Sequence, residues 1–211
     1  MKKEYAKKIV EILKETYPDA TCSLDFSTPF EMVVAVMLSA QCTDERVNLT
    51  TPTLFKRCPS IQDYVSIDIE ELENIIHPCG FYKNKAKNIK LCAKQVLENF
   101  NGIVPNNMDD LLTLAGVGRK SANVILLEVY GIANGVAVDT HAKRISNLMG
   151  LSKETDPSKI EQDLIKFFPK DSLKYINHLF VWHGRNTCVA RHPKCDKCTV
   201  KQFCNFYQKS L

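Results

Sequence analysis

The segment Leu114-Ala115-Gly116-Val117-Gly118-Arg119-Lys120-Ser121 restricts the architecture more than any other, because it lies between two amphipathic runs, Met108 to Leu114 and Lys120 to Tyr130. Apolar residues at helical spacing on both sides, with two glycines one residue apart, predict a helix, a tight hairpin and a second helix. Glycine lacks a Cβ, so Gly116 and Gly118 can take positive φ and bring their backbone N–H groups close to an anion. The N-terminus of the second helix adds partial positive charge at the same place, which makes the hairpin a seat for a phosphate. Lys120 falls in that helix's first turn, where the dipole and any desolvation disfavour an ammonium and make a neutral, nucleophilic amine more accessible. Glycine hairpins are commonly plain connections and first-turn lysines are commonly solvated. Here, however, Val138-Asp139-Thr140-His141 follows downstream, and four closely spaced cysteines end the chain.

A chain of 211 residues that is 45% hydrophobic and 25% charged can bury one large core or two modest ones, and is globular in composition. No apolar run is long enough to span a bilayer, since the most apolar segment, Met32 to Leu38, has seven residues. The N-terminus, Met1-Lys2-Lys3-Glu4-Tyr5, leads into a charged amphipathic run and not into a signal-peptide core, so a cytoplasmic, nucleoid-associated location is expected. Nine cysteines, an odd number, argue against a disulfide framework. The net charge of +4 is unevenly spread. Residues 81 to 94 hold Lys83, Lys85, Lys87, Lys90 and Lys94 with no acid, and residues 185 to 211 hold six Lys or Arg against Asp196 alone. Residues 60 to 76 carry Asp63, Asp68, Glu70, Glu71 and Glu73 and no base, a segregation that fits one face meeting a polyanion.

In chain order, Ala6, Ile9, Val10, Leu13 and Tyr17 recur at helical spacing up to Tyr17-Pro18. Thr28-Pro29-Phe30-Glu31 reads as a capping box opening a central, buried helix through Leu38, with Thr43 capping the next one. Pro52 predicts a break or kink there, with Thr51 capping a second piece. Ser60 and Asp68 cap two short helices, the second ending at Gly80, and a long helix follows with Ala86, Ile89, Ala93, Val96, Leu97 and Phe100 inward and its lysines outward. Asn101-Gly102 stops it, and Asn107 caps the first helix of the hairpin pair. Thr140 is expected to cap a helix ending near Gly150. Asp156-Pro157 opens another, and Ser172 to Arg185 forms the last long one. No convincing period-two alternation occurs apart from Val136 to Val138, so the chain reads as all-α.

Cys188, Cys195, Cys198 and Cys204 follow C-x6-C-x2-C-x5-C within seventeen residues. Four thiolates so close can enclose a tetrahedral Zn²⁺ or a [4Fe-4S] cube, and spacing alone does not choose between them. A zinc ribbon usually brings two C-x2-C knuckles, and the single one here tilts the reading towards the cluster. Arg191, His192 and Lys194 in the intervening loop would then sit as cations on a rigid support. Cys22, Cys42, Cys58, Cys79 and Cys92 read as buried thiols.

Taken together, Leu38-Ser39-Ala40-Gln41, Leu114 to Lys120 with Ser121-Ala122-Asn123-Val124, Val138-Asp139-Thr140-His141, His183-Gly184-Arg185 and the four terminal cysteines resemble the endonuclease III family of bifunctional DNA glycosylases, over essentially the whole length. The resemblance implies an all-α fold of two lobes: a six-helix domain with the helix-hairpin-helix over residues 22 to 132, and a cluster domain of residues 1 to 21 with 133 to 211, with DNA in the cleft between. It implies removal of oxidised or ring-saturated pyrimidines from double-stranded DNA by a monomer, then nicking of the abasic site by β-elimination. Lys120 would be the nucleophile, Asp139 its carboxylate, and the four terminal cysteines the ligands of a [4Fe-4S] cluster. Gln41, Phe81, Gly116, Gly118, Arg119, His141, Arg144 and Arg191 would contact DNA. Of these, Gln41 and Phe81 would fill the gap left by the extruded base, Phe81 standing where relatives commonly carry Leu. Ala115 replaces the proline frequent in the family's hairpin. Two rival functions remain, a monofunctional mismatch glycosylase of the same superfamily and a non-catalytic DNA-binding module.

Overall fold

The computed structural model describes residues 3–209, so Met1 and Lys2 of the expected N-terminal lead, and the last two residues of the expected cluster domain, lie outside the described residues. All regular structure among the described residues is helical. None of these helices is long and apolar enough to cross a membrane. The contacts divide the chain into two units, one of residues up to Cys22 together with those from Ile132 onward, the other Ser23–Gly131.

The chain opens with α1 (Tyr5–Thr16), whose apolar stripe of Ala6, Ile9, Val10 and Leu13 is buried. The hairpin unit follows. Its first helix, α2 (Pro29–Leu38), starts from the expected capping box: Thr28 Oγ1 accepts from the Glu31 amide at 3.2 Å while Glu31 Oε2 accepts from the Thr28 amide at 3.2 Å. Every residue from Met32 to Leu38 is buried, which makes α2 the axis of this unit. It packs against α3 (Asp44–Arg57), α6 (Tyr82–Phe100) and α8 (Arg119–Tyr130). Between them run α4 (Ile61–Ser66) and α5 (Ile69–Ile76), capped by Ser60 and Asp68, and the short α7 (Met108–Leu111), capped by Asn107. The unit thus holds seven α-helices, one of four residues, where six were expected.

Two expectations fail here. Of the break or kink expected at Pro52, the break does not occur, since helix α3 is continuous through it, and Thr51 is a buried helical residue, not the cap of a second piece. A mid-helix proline costs about 3 kcal/mol, whereas fully burying Val47 and Leu54, both 0% exposed, contributes roughly 1.5–3 kcal/mol each, so tertiary packing carries the helix past the local defect. On α6, the lysines do not all face out. Lys85 is buried, its ammonium bonded to three backbone carbonyls.

The cysteine unit packs α9 (Thr140–Met149), α10 (Pro157–Phe167), α11 (Leu173–Asn186) and the short α12 (Asn205–Gln208) with α1. Its core joins the α1 stripe to Val136, Val138, Ile145, Ile160, Leu164 and Phe180, with Cys188, Cys198 and Cys204 packed against it. The segment before α9 is irregular, and its Ala137 amide is held by Asn177 Oδ1 at 2.8 Å. Of the thiols expected to be buried, Cys58, Cys79 and Cys92 are, whereas Cys22 and Cys42, which lie in irregular segments between helices, are only partly covered.

Candidate active site and thiol cluster

The hairpin is shorter on its first side than the sequence suggested: α7 ends at Leu111, and Leu112 to Gly118 form the turn. Gln95 of α6 holds this turn from behind, accepting from the Ala115 amide at 2.7 Å and donating to the Thr113 carbonyl at 3.2 Å. Leu114 and Val117 plug it into the core. Gly116 has φ of 76°, as expected, and a Cβ there would stand 3.0 Å from the Asn88 Cβ, so both backbone shape and close packing require glycine. Gly118 departs from the expectation: its φ of −98° is ordinary extended backbone, and a Cβ there would meet nothing within 4 Å. As the N-cap of α8 it supplies no side-chain hydrogen bond. The first-turn amides of α8 are therefore left without a side-chain cap, which suits an anion.

Lys120 is the second residue of α8, and it is exposed. The helix dipole acts on it, but its own unit does not sheathe it. Arg119 beside it is half-buried.

Asp139 takes the capping position expected of Thr140. Its Oδ1 accepts from the Ala142 amide at 2.7 Å, and Thr140 is the first helical residue of α9. An ionised carboxylate has two accepting oxygens, so the cap does not exhaust it. Two residues on, His141 lies against Gly184 of α11, where a Cβ would come within 2.4 Å of its Nδ1, so glycine permits this close crossing of α9 and α11. Burial holds the His141 imidazole below its usual range, opposed by the charge of Asp139. Arg144 points towards the cysteine loop. Its Nε and Nη2 donate to the Cys188 carbonyl at 3.1 and 2.6 Å, and Nη2 also donates to the Gly184 carbonyl at 3.0 Å.

Gln41 and Phe81 occupy two separate turns of the hairpin unit, and both are exposed, Phe81 at 65%. Both backbones are left-handed, with φ of 55° and 47°. Arg191 is exposed in the loop between Cys188 and Cys195.

The four terminal cysteines line one small cavity, together with Met149, His183 and Val200. Among the described residues, no three His, Cys, Asp or Glu side chains are drawn together as a mononuclear metal site. Burial raises the Cys198 thiol to about 11, and the neighbouring Cys188, Cys204 and Cys195 push it the same way. Thiolates gathered here repel one another and need a cationic centre to ionise together. Among the described residues no acidic side chain lines the cavity, whereas Lys194 and Lys201 do. That donor set fits a thiolate-ligated cluster. His183, quoted in the sequence only as part of a motif, is the buried hub behind it: its Nδ1 is hydrogen-bonded to Tyr17 Oη at 3.0 Å, its Nε2 lies 3.7 Å from Cys198 Sγ, and burial lowers it to about 4. Tyr17 Oη also bonds Thr187 Oγ1 at 2.7 Å, which ties the end of α1 to the start of the cysteine loop. Their role behind the cysteines was not legible in the sequence, because the pairs are 166 and 170 residues apart and leave no local signal.

Residues 34–170 match the family described as HhH-GPD superfamily base excision DNA repair protein. The endonuclease III of Synechocystis sp. is 49% identical over 209 residues, which cover 99% of this chain and 95% of that protein. Among solved structures, a non-covalent endonuclease III–DNA complex superposes with a TM-score of 0.92 at 36% identity, covering 100% of this chain and 98% of that one. A trapped endonuclease III–DNA covalent intermediate superposes with a TM-score of 0.93, also at 36% identity, over 100% and 99% of the two chains.

Proposed function

The chain belongs to the HhH-GPD superfamily of base excision DNA repair proteins, and within it to the endonuclease III family; from that premise we propose that it removes damaged bases from duplex DNA and nicks the abasic strand through a Schiff base on Lys120. The observation that carries this reading is a lysine in the first turn of α8, directly after a hairpin whose helix N-terminus has no side-chain cap. Capture of an endonuclease III as a covalent DNA intermediate supports it.

The chemistry assigns each residue a task. Amides of the Gly116 to Gly118 hairpin hold a backbone phosphate. The Lys120 Nζ lone pair forms a bond to the sugar C1′ as the glycosidic bond breaks and its electron pair leaves with the base. The Asp139 carboxylate stabilises the positive character that develops on the sugar and helps carry the proton lost by the amine. In the resulting adduct the C1′–O4′ bond breaks, O4′ takes up a proton, and the nitrogen lone pair closes a Schiff base to C1′; this acidifies the adjacent C2′ proton, and loss of that proton expels the 3′ phosphate. Gln41 and Phe81 fill the space of the extruded base. Arg119 and Arg191 meet phosphates, while His141 and Arg144 contribute to binding by seating α9 and the loop that carries Arg191. The hairpin unit, with its short extra helix α7, corresponds to the domain the resemblance describes as six-helix, and the other unit to its cluster domain. Oxidised or ring-saturated pyrimidines are the substrates.

Cys188, Cys195, Cys198 and Cys204 are the residues that would hold a [4Fe-4S] cluster. When bound, the cluster supplies a cationic centre for four thiolates and a covalent tie across the loop bearing Arg191. Purified protein is expected to be brown and to contain iron and inorganic sulfide. Colourless, fully active protein with stoichiometric zinc overturns the assignment.

A panel of duplexes, each with one defined lesion, tests the function. Base release followed by a β-elimination cut is expected at ring-saturated pyrimidines and not at undamaged pairs or adenine mismatches. Release without a cut would identify a monofunctional glycosylase, and salt-sensitive binding without release a non-catalytic module.

A further inference from the structure

Lys85 lies in the first turn of α6 and is 7% exposed. Its Nζ donates to the carbonyls of Leu38 at 2.8 Å, Ala40 at 2.8 Å and Cys79 at 2.9 Å. An ammonium has three protons, so every donor is used. No carboxylate is among these partners. The charge is met by carbonyl dipoles, and that of Leu38 belongs to the C-terminal end of α2, where the helix dipole is negative. Burial lowers the Lys85 pKa, and the nearby Cys42 and Cys79 thiols oppose that shift.

These carbonyls belong to two different turns. Ala40 immediately precedes Gln41, and Cys79 precedes Gly80-Phe81. Left-handed backbone costs free energy at a residue other than glycine and persists only where surrounding structure enforces it. Both Gln41 and Phe81 are held in that conformation. The Lys85 amide also donates to the Phe81 carbonyl at 3.1 Å, so one residue fastens both turns. A compact ammonium can converge on carbonyls from several directions, which the planar fork of arginine cannot reproduce.

We propose that Lys85 is a positioning residue that fixes the spacing of the Gln41 and Phe81 turns, so that both side chains enter a duplex as a pair. This inference rests on the reading of those two residues as gap fillers. The test compares single-turnover base release from one oxidised pyrimidine in a duplex and from the same lesion in an unpaired bubble, where no stacked gap has to be filled. Lys85→Met is expected to lose roughly tenfold or more on the duplex, the scale of one lost charge-assisted hydrogen bond, and to keep most of its rate on the bubble. Lys85→Arg retains the buried cation and serves should the methionine variant fail to fold. It is expected to show the same substrate-dependent loss, and to leave a 2-aminopurine next to the lesion dim where wild type brightens it. Equal losses on the two substrates, or wild-type duplex rates in Lys85→Arg, overturn the proposal. A Gln41→Ala, Phe81→Ala double variant distinguishes the underlying reading: wild-type duplex rates there sink the gap-filler roles, and with them this inference, whereas no release by the wild-type enzyme from either substrate sinks the proposed activity.

Discussion

Replacing Lys120 with glutamine is expected to remove the borohydride-trapped protein–DNA adduct altogether and to cut strand cleavage by roughly three orders of magnitude or more, the scale on which loss of a covalent nucleophile is felt. The exposed position of Lys120 makes this a clean experiment. Its side chain is not part of the packed core, and surface changes of this kind usually move stability by less than about 0.5 kcal/mol. Losing a positive charge at a helix N-terminus is, if anything, mildly favourable. The melting temperature should therefore hold while chemistry fails, and binding to an abasic duplex should weaken only by the share of one cation, with a salt slope shallower by about one. An undiminished adduct in Lys120→Gln would place the nucleophile elsewhere in the chain.

Asp139→Asn is the second large effect, and the structure makes it unusually easy to interpret. The carboxylate caps α9, and asparagine caps helices as well as aspartate does, so the variant keeps the helix start and loses only the charge. Turnover is expected to fall by about 10²–10³-fold, the range measured when a single electrostatic stabiliser of a developing charge is removed, with affinity for uncleaved DNA retained. Asp139→Ala should lose the same turnover and also about 1 kcal/mol of stability through the missing cap. If Asp139→Asn turns over at the wild-type rate, the capping bond is the whole role of this residue.

The parts of the fold that could be read from sequence are those written in side chains close to the backbone they serve. Thr28 and Glu31, Ser60, Asp68 and Asn107 announce helix starts because each bonds an amide two or three residues away. The same rule misplaced one cap: in Asp139-Thr140 both residues are good caps, and only the packing of Val136 and Val138 into the core sets the register that gives the position to Asp139. Pro52 was read as allowing a helix break, with Thr51 capping a second piece, because a local defect was judged without the buried Val47 and Leu54 that outweigh it. Lys85 was counted with its solvated neighbours because nothing in residues 81 to 94 reveals that Leu38 and Ala40 will offer it carbonyls. In the candidate site, Gly116 was legible as a turn glycine, whereas Gly118 has no conformational need to be one. The thiol set was legible by spacing, but its supports, Tyr17, His183 and Arg144, come from three different helices or their ends.

The bonds from Arg144 to the Cys188 and Gly184 carbonyls have a mechanical corollary. Arg144 lies in α9 and Asp139 caps its N-terminus, five residues apart, or about 7.5 Å along a stiff, internally hydrogen-bonded rod. A pull on the backbone at Cys188, from an oxidised or displaced sulfur, is expected to pass along this rod to its other end. Damage to the proposed sulfur ligation is therefore expected to misaim the Asp139 carboxylate while the core is still intact, and to register as slower turnover before it registers as unfolding.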